Sequence, residues 1–540
     1  MAIKVGGTTV IDDSRALTNI ASVDATTVAA LGTAGIGGGG GIELTTSEDV
    51  VEGDTLTWNF TTGKVEKVAR TGAYGTSSLG SLNVQRAGRL AHISGDVFAI
   101  AYGDSSTNQN KHTIVRWNPS SKTFTTGTTV AFSSDTSMTD ATVVLYASGS
   151  NKVVFITPYN IGSTMYLHCL AYTPDTTNLT LTSAGSAAVD TAIHGQGDGT
   201  LSATYNSNQD KIVVLYRGSN SGHSVGGYGF SRVITLGAAG NSSISVSSVS
   251  GPNGSNYFMN SANQDFHTHS LLSDGNKIVA VYHMGGDFRG VVGTLSGTSI
   301  TWGSVYTFGG TAAPYYSHGN LFKHISGKYF ALVQENSSNP KFVIFESNSS
   351  NNIINYTSHV PPGIDSQGTY RMYGSYDSVN NRLFYSSRYS STVKAGVVNL
   401  NTNTPTQVSS SQDVLNTSGI MANSADYNPS AGYAFYGMEN GQVAYFAPQI
   451  DNFYFFVGCA KEAASANSTV KIANAGQIAT GLSGLTPGTT YRINYTGGWS
   501  VYSSIADPTG FANATQRAQV NGIALTSSTM LMWNDMMSYN

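Results

Sequence analysis

The chain of 540 residues is poor in charge: only 11% of it is Asp, Glu, Lys or Arg, and 27 basic against 31 acidic residues leave a net charge of −4. No basic run occurs, so nothing provides the electrostatic footprint of a nucleic-acid-binding protein. Cysteine is almost absent. Cys169 and Cys459 lie far apart, with no second Cys or His at metal-ligand spacing, which excludes a disulfide framework. Both are expected as small buried residues. No apolar run approaches the ~18 residues of a membrane-spanning helix. The first residues lack the apolar core of a secretory signal, so cytoplasmic synthesis without membrane insertion is expected.

What the sequence does have is 61 Gly, 30 Tyr and a visible wealth of Ser, Thr and Asn, a mixture that suits many short strands joined by tight turns. With 40% hydrophobic residues the chain can bury a core and is not disordered. One unit recurs. A polar turn is followed by an unbroken apolar run, as in Gly275–Tyr282. Other copies begin their apolar runs at Val97, Val153, Ile212, Tyr329, Leu383 and Tyr433. With Ile278 this makes seven copies, spaced 50 to 66 residues apart. Each spacing accommodates four strands of about 5–6 residues with their turns. A four-stranded sheet cannot cover both of its faces alone, and radial packing into a closed ring is the solution that also protects the edges. The expected fold is all-β: a seven-bladed β-propeller (six to eight blades) flanked by a small β-rich domain and an extended N-terminal segment. A linear β-solenoid fits less well, because its repeats are shorter.

The expected organisation has four parts. Residues 1–41 form an attachment or oligomerisation segment, with a short helix at Ala25–Leu31 and a linker at Gly37–Gly41. No Gly-Lys-Ser/Thr follows that glycine run, so it is not read as a phosphate-cradling loop. Residues 42–72 are a β-hairpin module, 73–450 the propeller, and 451–540 a C-terminal β-rich domain. Gly53 with Gly63, and Gly488 with Gly498, set the same strand-and-turn pattern near the two ends. The two ends are therefore related modules or the halves of one split domain.

The sequence holds little that points to catalytic chemistry. Glycan hydrolysis needs two carboxylates about 5–10 Å apart, yet the repeats hold few Glu (Glu335, Glu346, Glu439), and their aspartates mostly occupy turns. No Gly-x-Ser-x-Gly motif sits in a strand–helix context. His194, Asp265, His267 and His318 fall where the chain passes into successive blades. They are the weak candidates for a metal site, with polar residues at a solvated channel mouth as the plainer reading. No cofactor is implied. The segments after the apolar runs are read as long polar loops: Gly103–Lys111, Pro158–Ser163, Arg217–Gly227, His283–Gly290, Gln334–Pro340 and Ser386–Thr392. They carry Tyr159, Arg217, Asp287, Phe288, Arg289, Glu335 and Arg388, the candidate ligand-binding residues. Aromatic rings beside Arg and carboxylates suit sugars, with ordinary solvated loops as the alternative for any one of them.

The ends add a resemblance. Met-Ala-Ile-Lys-Val-Gly-Gly-Thr-Thr at residues 1–9, continuing through Ser22–Thr27, resembles the N-terminus of tail-fibre and other virion structural proteins of marine tailed bacteriophages. Phe456–Ala463, Gly484–Tyr491 and Gly522–Thr529 are similar to a distal domain of such fibres. The resemblance covers about 30 N-terminal and 90 C-terminal residues. It implies a virion protein, often a homotrimer, attached to other virion proteins through its N-terminal segment and binding a host-surface glycan or protein through its outer part. The alternatives are a purely structural head, neck or tail component and a glycan-degrading enzyme.

Overall fold

The computed structural model describes residues 3–5, 8–11 and 42–536 apart from 60–62, 68, 71–72, 80–81, 120, 134–141, 162–163, 192, 194–200, 219–227, 253–256, 259–265, 285–286, 312–320, 324–326, 336–338, 360–368, 379–380, 390–391, 401–404, 417–421, 429–431, 439, 448–449, 452–455, 475–476, 494–498 and 502–518. The expected helix at Ala25–Leu31 and the glycine run lie outside the described residues, and every described regular element is a β-strand. The chain divides into two compact units, Thr71–Ile450, and Met1–Arg70 with Asp451–Asn540.

Among the described residues, Thr71–Ile450 holds seven antiparallel sheets of four or five strands, here blades 1 to 7, with strands A to D from the inside outward. Blade 1 is Val84–Ser94, Val97–Asp104, Gln109–Asn118 and Thr123–Thr126, with Val130–Ser133 added to its third strand. Blade 2 is Val143–Ala147, Lys152–Ile161, Thr164–Asp175 and Thr180–Asp190; blade 3 is Leu201–Asn206, Lys211–Gly218, Tyr228–Leu236 and Ile244–Val246. Blade 4 is Phe266–Asp274, Lys277–Met284, Asp287–Ser296 and Ser299–Trp302, with Tyr306–Thr311 added. Blade 5 is Leu321–Lys323, Lys328–Glu335, Asn339–Ser347 and Ile353–His359; blade 6 is Thr369–Asp377, Arg382–Tyr389, Thr392–Asn399 and Thr406–Asn416. Blade 7 takes Ala422–Asn428, Tyr433–Met438 and Gln442–Ala447 from the end of the unit and Ala73–Ser78 from its beginning. The inner strands of neighbouring blades touch in sequence, and blade 7 touches blade 1. The fold is a seven-bladed β-propeller closed by its first strand.

The seven apolar runs are the B strands. Each lies between two neighbouring blades, so both of its faces are buried and the alternation of a half-exposed strand disappears. Along Val97–Asp104, Val97, Ala99 and Ala101 enter the core shared with blade 2, while Phe98 and Ile100 enter the core shared with blade 7. Seven hydrophobic clusters fill the seven junctions in this way.

Every A–B turn places one residue in the left-handed region: Gly95, Asn151, Asp210, Gly275, Gly327, Asn381 and Gly432. Glycine accepts that conformation without strain, and Asn and Asp tolerate it best among the others. Where the residue is not glycine, a tyrosine of the preceding strand holds its side chain: Tyr146 Oη donates to Asn151 Oδ1 at 2.9 Å, Tyr205 to Asp210 at 2.8 Å, and Tyr376 to Asn381 at 2.6 Å.

The other unit contains two five-stranded sheets. One orders Ile42–Thr45, Thr469–Ala473, Phe456–Ala460, Thr55–Asn59 and Lys64–Lys67, so two strands from the C-terminal part lie between strands from the N-terminal part. The other orders Ile478–Ala479, Met530–Met536, Gln519–Ala524, Thr490–Ile493 and Trp499–Val501. One core gathers around Leu56, Val65 and Ile472 of the first sheet, and another joins Tyr491, Met530 and Met532 of the second to Cys459 and Ala473 of the first. Ile3–Val5 and Thr8–Ile11 pair as a hairpin.

Candidate functional site

In each blade the B–C hairpins and the crossings from a D strand to the next A strand share one end of the propeller. Strand pairing shortens several of the expected long loops at that end, while residues 219–227 of the Arg217–Gly227 loop, and 162–163, 285–286, 336–338 and 390–391 of the others, lie outside the described residues. Tyr159 pairs with Tyr166 and Ile161 with Thr164, so the B and C strands of blade 2 continue almost to the turn. Gly103, Asp104, Arg217 and Asp287 through Gly290 likewise belong to strands. An antiparallel ladder needs backbone groups, not apolar side chains, and it runs on past the point where the hydrophobic run stops.

This places the candidates individually. Phe288 is 3% exposed and stacks on Phe308 with ring centroids 5.0 Å apart, a core residue rather than a loop aromatic. Asp287 and Arg289 pair with each other at 2.9 Å, and Arg289 also reaches Met284 Sδ at 3.7 Å. Arg217 is half-buried near the end of its strand, next to Tyr216. Glu335 and Arg388 lie in strands, but their side chains fall outside the described residues. So do His194, Asp265 and His318 altogether, and the side chain of His267, whose backbone pairs in register with His283. Among the described residues no group of three or more His, Cys, Asp or Glu is placed to hold a metal ion.

Tyr159 is the candidate that acquires neighbours. On the face of blade 2 that looks toward blade 1, its ring stands 5.6 Å from Tyr166, 5.6 Å from Phe132 and 4.4 Å from His168, centroid to centroid. All four residues are half-buried. Tyr159 Oη lies 2.8 Å from His168 Nε2. Burial lowers the His168 pKa, which favours the neutral imidazole; with its proton on Nδ1, its Nε2 accepts the hydrogen bond of the tyrosine hydroxyl. Burial, then the neighbouring Tyr166, raises the pKa of Tyr159, which stays a neutral donor. The ring row continues inward: Phe132 stacks on His112 at 5.9 Å, and buried His112 lies flat on Phe155 at 3.8 Å. The partly exposed rings are therefore fixed from below by the core.

On the opposite face of the same blade end, Asp190 meets blade 3. Tyr216 Oη donates to Asp190 Oδ2 at 2.5 Å, and Arg232 Nε donates to Tyr216 Oη at 2.8 Å. A second Arg232 nitrogen donates to Ser247 O at 2.8 Å. Burial, then the Asp190 carboxylate, pushes the Tyr216 phenol far up, so it remains protonated. This cluster pins blade 2 to blade 3. In blade 1, Asp104 accepts from Ser106 and pairs with Lys111 at 2.6 Å; burial works against its charge, but those hydrogen bonds hold its pKa down to about 2. Among the described residues, this end of the propeller combines these hydrogen-bonded clusters with the patch of half-buried rings around Tyr159.

Sequence reasoning found Tyr159 but not Phe132, Tyr166 or His168. The usable signal was the hairpin: once Tyr159 and Tyr166 are seen as cross-strand partners, Tyr166 and His168 follow on one face at a spacing of two. Phe132 comes from the preceding blade and has no local signal.

No protein-family model matches the chain, and no curated protein matches it significantly in sequence. Solved structures similar to it share low identity with the chain. The β-propeller domain of Cps50 (Swd1) from Myceliophteria thermophila is 8% identical with a TM-score of 0.43, covering 69% of this chain and 99% of that one. A protein from Lactobacillus plantarum is 13% identical with a TM-score of 0.43, covering 69% and 97%. Raptor from Chaetomium thermophilum is 11% identical with a TM-score of 0.41, covering 74% of this chain and 30% of that one. The likeness is one of fold, and it says nothing of ligand or activity.

Proposed function

We propose that the chain is an adhesion protein of a bacteriophage particle, which binds a glycan of the host surface through the B–C end of its propeller. The observation that carries this reading is the patch of Phe132, Tyr159, Tyr166 and His168. Sugar rings have apolar faces edged with hydroxyl groups. A cluster of rigid, half-exposed aromatic rings offers such faces a surface at little entropic cost, and the phenol and imidazole edges supply hydrogen bonds. Most other ring clusters of the propeller are core. Trp117, Phe98 and Phe435, for example, are all under 2% exposed. The place of the protein in a virion, as a homotrimer attached through residues 1–41, rests on the resemblance of the chain ends to tail-fibre proteins.

The test is adsorption. Purified protein should bind host cells or their isolated surface polysaccharide and compete with infection. Tyr159→Ala should weaken that binding at least tenfold while the circular dichroism spectrum and melting temperature stay close to those of the parent. Antibody labelling confined to the capsid or neck, with no adsorption by the parent protein, would favour the purely structural role instead.

A further inference from the structure

The junction between blades 6 and 7 is filled by apolar side chains, among them Phe384 and Val393 of blade 6 and Ala434 and Met438 of blade 7. Three hydroxyl groups share it. Tyr373 and Phe384 belong to that core; Ser386 pairs with Tyr373 and Ser375 with Phe384, so both serines stand on the face of blade 6 that meets blade 7. Tyr436 enters the same core from the B strand of blade 7. Ser386 and Tyr436 have no solvent exposure, and Ser375 has 4%. Ser375 Oγ, Ser386 Oγ and Tyr436 Oη have no hydrogen-bond partner in the protein.

Elsewhere in the ring, buried hydroxyls are matched by protein groups. Tyr216 points from the B strand of blade 3 into blade 2 and meets Asp190 and Arg232. Thr142 and Thr157 meet each other at 2.8 Å. Around Tyr436 the cross-strand neighbours are Ala425 on one side and Ala444 on the other, and Ala395 pairs with Ser386. These small side chains carry no polar atom and leave room beside the hydroxyls. Asp377, the carboxylate on the same strand face as Ser375, already accepts from Tyr427 Oη at 3.0 Å. Burial, then Tyr385, raises the pKa of Tyr436 far above its usual value, so the phenol remains a neutral donor.

We propose that this junction is a buried water site, in which ordered water bridges Tyr436 of blade 7 to Ser386 and Ser375 of blade 6. Buried polar groups in native proteins are paired with protein or with ordered water, because an unpaired one bears its full desolvation penalty. A buried water makes about three hydrogen bonds, and each hydroxyl donates one and accepts up to two. The three groups therefore match water in number and in sense. They are uncharged, so neither a metal cation nor an anion finds here the opposite charge that its burial requires. The water would tie two blades together where direct side-chain contact does not, and it stands apart from the aromatic patch on blades 1 and 2.

The experiment turns on the sign of a stability change in the full chain. Tyr436→Phe, Ser386→Ala and Ser375→Ala each delete one buried oxygen and keep the rest of the packing. Removing a dry, unpaired hydroxyl relieves its desolvation and raises the urea midpoint; removing one that is bonded to water lowers it. Tyr436→Phe and Ser386→Ala should each reduce the ratio of folded to unfolded protein several-fold, with Ser375→Ala acting in the same direction. The Tyr436→Phe, Ser386→Ala double variant should lose less than the two single losses combined, because the same water is released once. A high-resolution crystal structure of the parent should show water within hydrogen-bond distance of Tyr436 Oη and of a serine hydroxyl. A raised midpoint for Tyr436→Phe or Ser386→Ala overturns the proposal, as do fully additive losses or the absence of water beside Tyr436 Oη in that structure. The adhesion reading is untouched by any of these results.

Discussion

The ammonium of Lys152, a side chain with no solvent exposure, sits 2.9 Å from the backbone carbonyl oxygen of Gly237 in the next blade. A second carbonyl, that of Asn241, completes the grip. The same junction geometry is met by other residues around the ring: Arg116 donates to Thr176 O, Gln209 to Leu295 O, and Lys277 to Asn348 O. A polar side chain of one blade thus captures the C–D turn of the following one. Removing the Lys152 charge leaves the half-buried Gly237 carbonyl and the Asn241 carbonyl without the donor that Lys152 supplies. Lys152→Met should therefore cost about 2–3 kcal/mol, read as a lower urea midpoint. Lys323, with a side chain 52% exposed and paired to Asp274 at 2.7 Å, is the control. Lys323→Met should cost under about 1 kcal/mol. Equal losses at both positions would mean that burial is not what gives the Lys152 contact its strength.

Ring closure makes a second prediction. Blade 7 meets blade 1 through Asp426, which accepts the His92 backbone N–H at 2.5 Å, and through Asn428, which donates to Asp96 at 2.7 Å. Lys122 of blade 1 also contacts the hydroxyl and ring face of Tyr433. Asp426→Ala leaves the His92 N–H unmatched and should destabilise the propeller by about 1–3 kcal/mol. Asp426→Asn keeps an acceptor oxygen and should recover most of that loss. Denaturation followed by tryptophan fluorescence reads the effect, since Trp117 packs against Phe435 across this same junction at 5.1 Å.

The repeats were legible because of how a propeller buries its B strands. Ile278, Leu383 and Val153 are fully buried, and the tyrosines that follow several of the runs, Tyr102, Tyr216 and Tyr282, are at most 1% exposed. Two-sided burial writes itself into the sequence as an uninterrupted apolar run. Closure is written nowhere so plainly. The closing strand, Ala-Tyr-Gly-Thr-Ser-Ser at 73–78, is an outer strand with Tyr74 49% exposed, and no hydrophobic period marks it. The strand ends at the B–C side are hard to see in the sequence for a related reason. Polar residues such as Asp104 and Asp287 continue a ladder whose bonds belong to the backbone, so composition alone suggested loops. Nothing near Phe288 in the sequence marks it as buried, because its partner, Phe308, lies on a different strand of the blade.

Turn chemistry supplies a third prediction. Asn151 holds a φ of 50° and accepts the Tyr146 hydroxyl. Asn151→Gly keeps the backbone comfortable and loses only that exposed hydrogen bond, so it should change stability by less than about 1 kcal/mol. Asn151→Val forces a β-branched residue into the left-handed region, where an ordinary residue loses roughly 1–2 kcal/mol. The expected order of urea midpoints is parent, then glycine, then valine. A valine variant as stable as the glycine variant would show that the turn relaxes out of that conformation.

The last prediction concerns acid. His112 is 1% exposed and lies parallel to Phe155 of blade 2, its ring centroid 3.8 Å away. Burial lowers its pKa from 6.5 to about 3. In the unfolded chain the imidazole takes up a proton as the pH falls through 6.5, while in the folded chain it does not until about 3. Between these values the unfolded state binds more protons, so stability decreases as the pH falls through that window. Above it the full stability is present. Each unit of the window is worth about 1.4 kcal/mol, so roughly 3 kcal/mol should be lost by about pH 4. His112→Phe keeps a flat ring against Phe155 and cannot titrate. Measured as urea midpoints at neutral and mildly acidic pH, the parent should lose more stability on acidification than the variant does. Carboxylates that titrate in the same range act in both proteins and cancel in the difference. Parallel pH profiles for the two would assign the acid sensitivity to those carboxylates and leave His112 a purely steric part of the junction between blades 1 and 2.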